Sequence, residues 1–148
     1  MIKKTITYTD YDGLQRTEEF RFHLTEAEMF ELEIATPGGY TNLIKKIMDT
    51  KDTAGMVKLY KELILKTYGE KSPDGKRFMK SPEISKAFEE TPAYNELFME
   101  LVQDAKKFAD FITGVMPDNL RQEVLKSQEY ADVQKQIAEQ EKLIKVEN

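Results

Sequence analysis

Few residues in this chain have the type and spacing to do chemistry. Asp10-Tyr11-Asp12-Gly13 places two carboxylates beside a glycine, as a calcium loop begins. An EF-hand loop needs further oxygen ligands at fixed spacing and a helix on each side. No further Asp or Asn ligand stands before this glycine, and alternating segments flank it, so the string reads as a hairpin turn. Gly69-Glu70-Lys71-Ser72 with Gly75-Lys76-Arg77 invites a phosphate-loop reading. Such a loop needs Gly-Lys-Ser/Thr between a strand and a helix, whereas Gly75-Lys76 is followed by Arg77 and Ser72 precedes Pro73. A tight turn carrying a basic cluster of Lys71, Lys76, Arg77 and Lys80 fits better, and that cluster suits an acidic partner. His23 is the one histidine, and no nucleophile pairs with it in sequence. The pairs Glu18-Glu19 and Glu89-Glu90 read as solvated carboxylates, since no apolar pocket is written around them.

Composition narrows the function further. The chain has no cysteine, which removes disulfides, thiolate nucleophiles and Cys-ligated zinc, and fits a reducing compartment. One histidine cannot build a His-based metal site, so no cofactor or metal is expected. The net charge is -5, with lysines scattered, which disfavours nucleic acid as a partner. No apolar run is long enough to span a bilayer, and the first residues lack the apolar region of a signal peptide. At 148 residues, 40% hydrophobic and 33% charged, the chain suits one soluble domain with a tail.

The elements that would position these residues are written plainly. Residues 2–9 alternate with Ile2, Lys4, Ile6 and Tyr8 on one side; residues 15–24 alternate with Phe20, Phe22 and Leu24 on one side and Glu19, Arg21 and His23 on the other. With Asp12-Gly13 between them they predict a β-hairpin. Thr25 with Glu28 forms a capping box and predicts a helix from about Glu26 to Ala35, broken by Thr36-Pro37-Gly38-Gly39. A second helix is expected from about Tyr40 to Asp49. A third, capped by Asp52, carries Met56, Leu59, Tyr60, Leu63, Ile64 and Thr67 on one stripe and ends at Gly69.

Residues 70–80 form a small hairpin or ordered loop on this reading. Ser81-Pro82 and Thr91-Pro92 each place a cap before a proline at the first helical position. The first starts a short helix to about Glu89. The second starts one long helix whose stripe runs from Tyr94 through Leu97, Phe98, Leu101, Val102, Ala105, Phe108 and Ala109 to Ile112, ending near Gly114. Beyond Pro117 the apolar stripe thins. Residues 118–148 read as a polar helical tail, docked at its start or ordered by a partner or an oligomer.

The fold class is therefore α+β: an N-terminal β-hairpin (2–24), a mainly α-helical body (helices from about 26 to 115, body 1–117) and a helical C-terminal tail. Met29, Phe30, Met56, Phe78, Met79, Phe88, Phe98 and Met99 are expected mostly in the core, with any exposed members giving a soft, adaptable surface.

Several strings together resemble one family. They are Lys3-Lys4-Thr5-Ile6-Thr7-Tyr8-Thr9-Asp10-Tyr11-Asp12-Gly13, Thr17-Glu18-Glu19-Phe20, Leu24-Thr25-Glu26-Ala27-Glu28 and Thr36-Pro37-Gly38-Gly39. The strongest is Leu65-Lys66-Thr67-Tyr68-Gly69-Glu70-Lys71-Ser72-Pro73-Asp74-Gly75-Lys76-Arg77-Phe78. It is followed by Ser81-Pro82-Glu83-Ile84-Ser85-Lys86-Ala87-Phe88, Thr91-Pro92-Ala93-Tyr94 and Leu97-Phe98-Met99-Glu100-Leu101. Over residues 1–117 the chain resembles the tail assembly chaperones of long-tailed (siphovirus-type) bacteriophages and prophages of Gram-positive bacteria.

The resemblance implies a non-enzymatic protein of the infected host's cytoplasm. It would coat the aggregation-prone tape measure protein, help bring major tail-tube subunits to it, and then leave. It also implies a longer product made by translational frameshifting, of which this chain is either the shorter partner or the long form itself, while the open hairpin edges and the helix-forming tail suit a homo-oligomer. No nucleic acid and no membrane enter as partners. Tyr94, Phe98 and Met99, with Lys71, Lys76 and Arg77, are the candidate partner-binding residues. A structural subunit of the virion, in the tail or connector, is the alternative.

Overall fold

A computed structural model describes residues 1–40, 42–43, 46, 50, 52–117, 135, 138 and 139. The described elements are strands β1 (Ile2–Thr9) and β2 (Gln15–Phe22), helices α1 (Glu26–Ala35) and α2 (Thr53–Thr67), strands β3 (Tyr68–Lys71) and β4 (Phe78–Met79), and helices α3 (Pro82–Glu89), α4 (Pro92–Gln103) and α5 (Ala105–Val115). This is the α+β architecture that the patterning predicts. The helix expected over 40–49 lies largely outside the described residues, and so does the tail over 118–148.

The strands form one antiparallel sheet in the order β1-β2-β3-β4. The first hairpin pairs Ile2 with Phe22 and Thr9 with Gln15. Its closure rests on Asp10, whose Oδ1 accepts from the Asp12 and Leu14 N–H groups, each at 2.9 Å, while Oδ2 accepts from Arg16 Nε at 2.6 Å. Gly13 takes φ +85, the left-handed conformation such a turn demands. The residues of the supposed calcium loop are thus engaged in making a turn.

The inner sheet face carries Ile6, Phe22 and, half-buried, Ile2, Tyr8 and Phe20, as the alternation requires. Lys4 also faces inward, and its ammonium meets Glu100 of α4 at 3.1 Å. Helix α4 lies against β1 and packs on α2, α3 and α5. The core joins these layers through Leu59, Leu63, Ile64, Leu97, Leu101, Phe108 and Phe111. At its centre Phe88 stacks on Tyr68 with ring centroids 4.1 Å apart, and meets Phe20 at 5.3 Å and Phe22 at 5.8 Å.

Four expected helix starts hold. Thr25 and Glu28 exchange the two bonds of a capping box, and Asp52, Ser81 and Thr91 each accept from a first-turn N–H. Two expectations need correction. Gly69 does not terminate α2, which stops at Thr67, where a buried hydroxyl bonds back to the Leu63 and Ile64 carbonyls. Gly69 instead sits in β3, and its missing side chain admits Phe78: a Cβ there would stand 2.5 Å from the ring.

The long helix from Tyr94 to Ile112 is in fact two. Asp104 takes an extended conformation, φ -139 and ψ 102, and its carboxylate accepts from the Lys106 and Lys107 N–H groups to start α5. Cap formation outweighs helix continuation there. Backbone bonds then tie the exit of β2 to the ends of α2 and α5, His23 N–H to Thr67 O at 2.8 Å and Leu24 N–H to Val115 O at 2.9 Å.

Candidate partner-binding surfaces

Four surfaces present side chains that a partner could use. The first is the β3–β4 turn. Ser72, buried, donates from Oγ to Asp74 Oδ1 at 2.6 Å and accepts from the Arg77 N–H at 3.0 Å, while Asp74 Oδ1 also accepts from the Lys76 N–H. The Ser72 hydroxyl holds the Asp74 carboxyl below its ordinary value, followed by the Lys76 N–H. This network fixes a rigid turn that holds Lys76 and Arg77 out in solvent, with Lys71 exposed on the adjoining strand. It is a cationic knob, with none of the strand-loop-helix context of a phosphate loop.

The second surface is α4. Tyr94 and Phe98 lie 5.9 Å apart, centroid to centroid, but both are half-buried and pack onto the core; Tyr94 also meets Phe88 at 5.8 Å. Met99 is 40% exposed. Of the three α4 candidates only Met99 offers substantial free apolar area. The six candidate residues thus fall into two groups on separate elements.

The third surface is the tip of the first hairpin, where Tyr11 is 85% and Leu14 59% exposed. The Arg16 guanidinium, and next the Leu14 N–H, hold the Asp10 carboxyl below its usual value, which keeps it charged and the tip closed. Neighbouring Tyr8 bonds its hydroxyl to Glu18, and that bond, with burial second, raises its phenol.

The fourth is α1. It buries no residue completely; Met29 and Leu32 are its half-buried apolar contacts, while Phe30 is 66% and Ile34 69% exposed. Phe30 is therefore not the core residue that the sequence suggests. What anchors α1 is polar. Lys80 Nζ reaches Glu28 Oε2 at 2.8 Å and the His23 carbonyl at 2.6 Å. Burial pulls the Glu28 carboxyl upward, but the Lys80 ammonium and the Thr25 N–H together leave it below its ordinary value. The signal that could have marked Phe30 and Ile34 is that Ala27, Met29, Phe30, Leu32, Ile34 and Ala35 put apolar groups on more than one side of a ten-residue helix.

Among the described residues no group of three or more His, Asp or Glu side chains is arranged to hold a metal ion. Burial, and then the Glu70 carboxylate, push the Tyr68 phenol up to about 12, so it stays neutral at any working pH. Among the described residues no helix is long and apolar enough to cross a membrane.

These surfaces sit on a small α+β body that displays apolar side chains on several elements. Over residues 1–148 the sequence matches the phage tail assembly chaperone family, and the chain belongs to that family. Neither a curated protein nor a solved structure matches the sequence.

Proposed function

We propose that this chain binds the tape measure protein of a long-tailed phage of Gram-positive bacteria, keeps it soluble and aids assembly of the tail tube around it. The observation that carries this reading is membership of the tail assembly chaperone family along the whole chain. Membership in a chaperone family suggests a non-enzymatic role. Exposed Tyr11, Leu14, Phe30, Ile34 and Met99 supply apolar area for a client, and a net charge of -5 keeps a complex in solution.

On this reading the protein acts in the cytoplasm of the infected host and meets the major tail-tube protein during assembly. It associates with further copies or with a longer frameshift product. Residues 1–117 act as the body, and the polar segment 118–148 is available to partners.

Co-expression with the tape measure protein tests the proposal. The expected result is a soluble tape measure protein that co-purifies with this chain; an insoluble, unbound one refutes it. A second reading, a structural virion subunit, draws on β1 being an end strand of the sheet, where a neighbour's strand could add. Mass spectrometry of purified particles separates the two, since an assembly factor is absent from the finished particle and a subunit is present in stoichiometric amount.

A further inference from the structure

We infer that α1 is a docking surface for an amphipathic helix whose apolar stripe is flanked by lysine or arginine. Phe30 and Ile34 stand one turn apart, and Ala27 lies within about 60° of Phe30 around the axis. All three are exposed, so they form one apolar stripe facing away from the body. Glu26 and Glu33 border the stripe on one side and Glu31 on the other, and the helix carries four glutamates and no basic residue. The complement of an acidic-rimmed apolar stripe is a basic-rimmed one.

The construction of α1 supports the same occupant. A helix of ten residues is marginal alone. This one keeps its two largest outward side chains in water while a capping box and the Lys80–Glu28 pair hold it in place. A partner helix laid along it would supply the burial that the body does not.

Residues 118–148 are a poor occupant, since they carry seven acidic side chains against five basic ones. The cationic knob of a second copy offers Lys71, Lys76 and Arg77 on a strand and turn, with no apolar helical stripe beside them.

The proposal builds on the client-binding reading above, and its test separates the two. The probe is a fluorescein-labelled amphipathic peptide of leucine and lysine, compared by anisotropy with a leucine–glutamate counterpart of the same apolar pattern. The full chain should bind the lysine peptide and not the glutamate one. F30S/I34S, which keeps the net charge, should weaken binding at least about tenfold, while Val57→Ser, at an exposed apolar position of α2, leaves it unchanged.

E26K/E31K retains the stripe and the helix formers, and should reverse the preference toward the glutamate peptide; this arm holds even if F30S/I34S loosens α1. Equal binding of both peptides, unaltered binding by F30S/I34S, or self-association of the chain through Phe30 and Ile34 would overturn the proposal. Where wild type solubilises the tape measure protein and F30S/I34S does so equally, the docking surface falls and the chaperone function stands. Where the peptide results hold but the tape measure protein stays insoluble, the surface stands and that function falls.

Discussion

Replacing Phe88 with alanine should cost more than any other single truncation in the aromatic cluster. The ring is 3% exposed and meets Tyr68 at 4.1 Å, Phe20 at 5.3 Å, and Phe22 and Tyr94 at 5.8 Å. Phe→Ala in a packed core costs about 3–5 kcal/mol through lost transfer energy and the cavity left behind. The measured range already contains the ring contacts, and the four made here, from β2, β3 and α4, put Phe88 at its upper end, about 4–5 kcal/mol. Domains of this size hold about 5–15 kcal/mol in total, which makes the variant marginal. With a urea slope of about 2 kcal/mol per molar, the midpoint should fall by about 2 M. Far-UV circular dichroism and tyrosine fluorescence report the transition, as the chain has seven tyrosines and no tryptophan. Phe88→Leu, which refills part of the space, should cost roughly half as much. A loss below about 1 kcal/mol for alanine, or equal losses for the two variants, would refute the account of Phe88 as the joint between sheet and helices.

Gly69→Ala places a Cβ 2.5 Å from the Phe78 ring and 3.0 Å from the Met79 carbonyl oxygen, so it should destabilise by about 1–3 kcal/mol through overpacking; an unchanged urea midpoint would contradict that. Asp104→Ala removes the cap that starts α5 and should cost about 1 kcal/mol, read as a melting temperature lower by about 2–4 °C. Acid should also weaken the fold. The Asp10, Asp74 and Glu28 carboxyls sit below their ordinary values of 3.8, 3.8 and 4.5. The stability they contribute is therefore whole above those values and is lost as pH falls through the lowered native ones. In Lys80→Met, burial acts on Glu28 without its ammonium, so its NMR titration should move upward and α1 amides should exchange faster; a fixed titration would show that Lys80 does not anchor α1.

Local signals were legible because each is satisfied within a few residues. Asp12-Gly13 makes its turn, Thr25 and Glu28 cap each other, and Ser81-Pro82 and Thr91-Pro92 start α3 and α4 whatever lies elsewhere. The misreadings occur where a distant partner decides. Gly69 follows a helix, as a terminating glycine would, yet its role is set by Phe78 and by pairing with Arg21 across the sheet. The stripe from Leu97 to Ile112 keeps its period through Asp104, so periodicity alone cannot reveal that this carboxylate turns inward to cap a new helix. The candidate surface was legible only in part. Lys71, Lys76 and Arg77 stand out on their turn, whereas Tyr94 and Phe98 share a helix with Met99 but pack against the core. Phe30 reads as a core residue, yet it and Ile34 stand 66% and 69% exposed on α1.

The bonds that fasten the far ends of the body also order its birth. Leu24 waits for Val115, and the space beside Gly114 is filled by Ile2, from the first strand made. Until α5 emerges from the ribosome, the hairpin and the helices already synthesised share an unfinished core with apolar surface open to water. Such closure by contacts distant in sequence is slow compared with hairpin or helix formation. A protein that carries greasy side chains on its finished surface therefore first passes through a stage in which those of its core are uncovered too. Pausing translation just after Gln103 should leave a nascent chain that a protease cuts freely, whereas one released past Val115 should resist it.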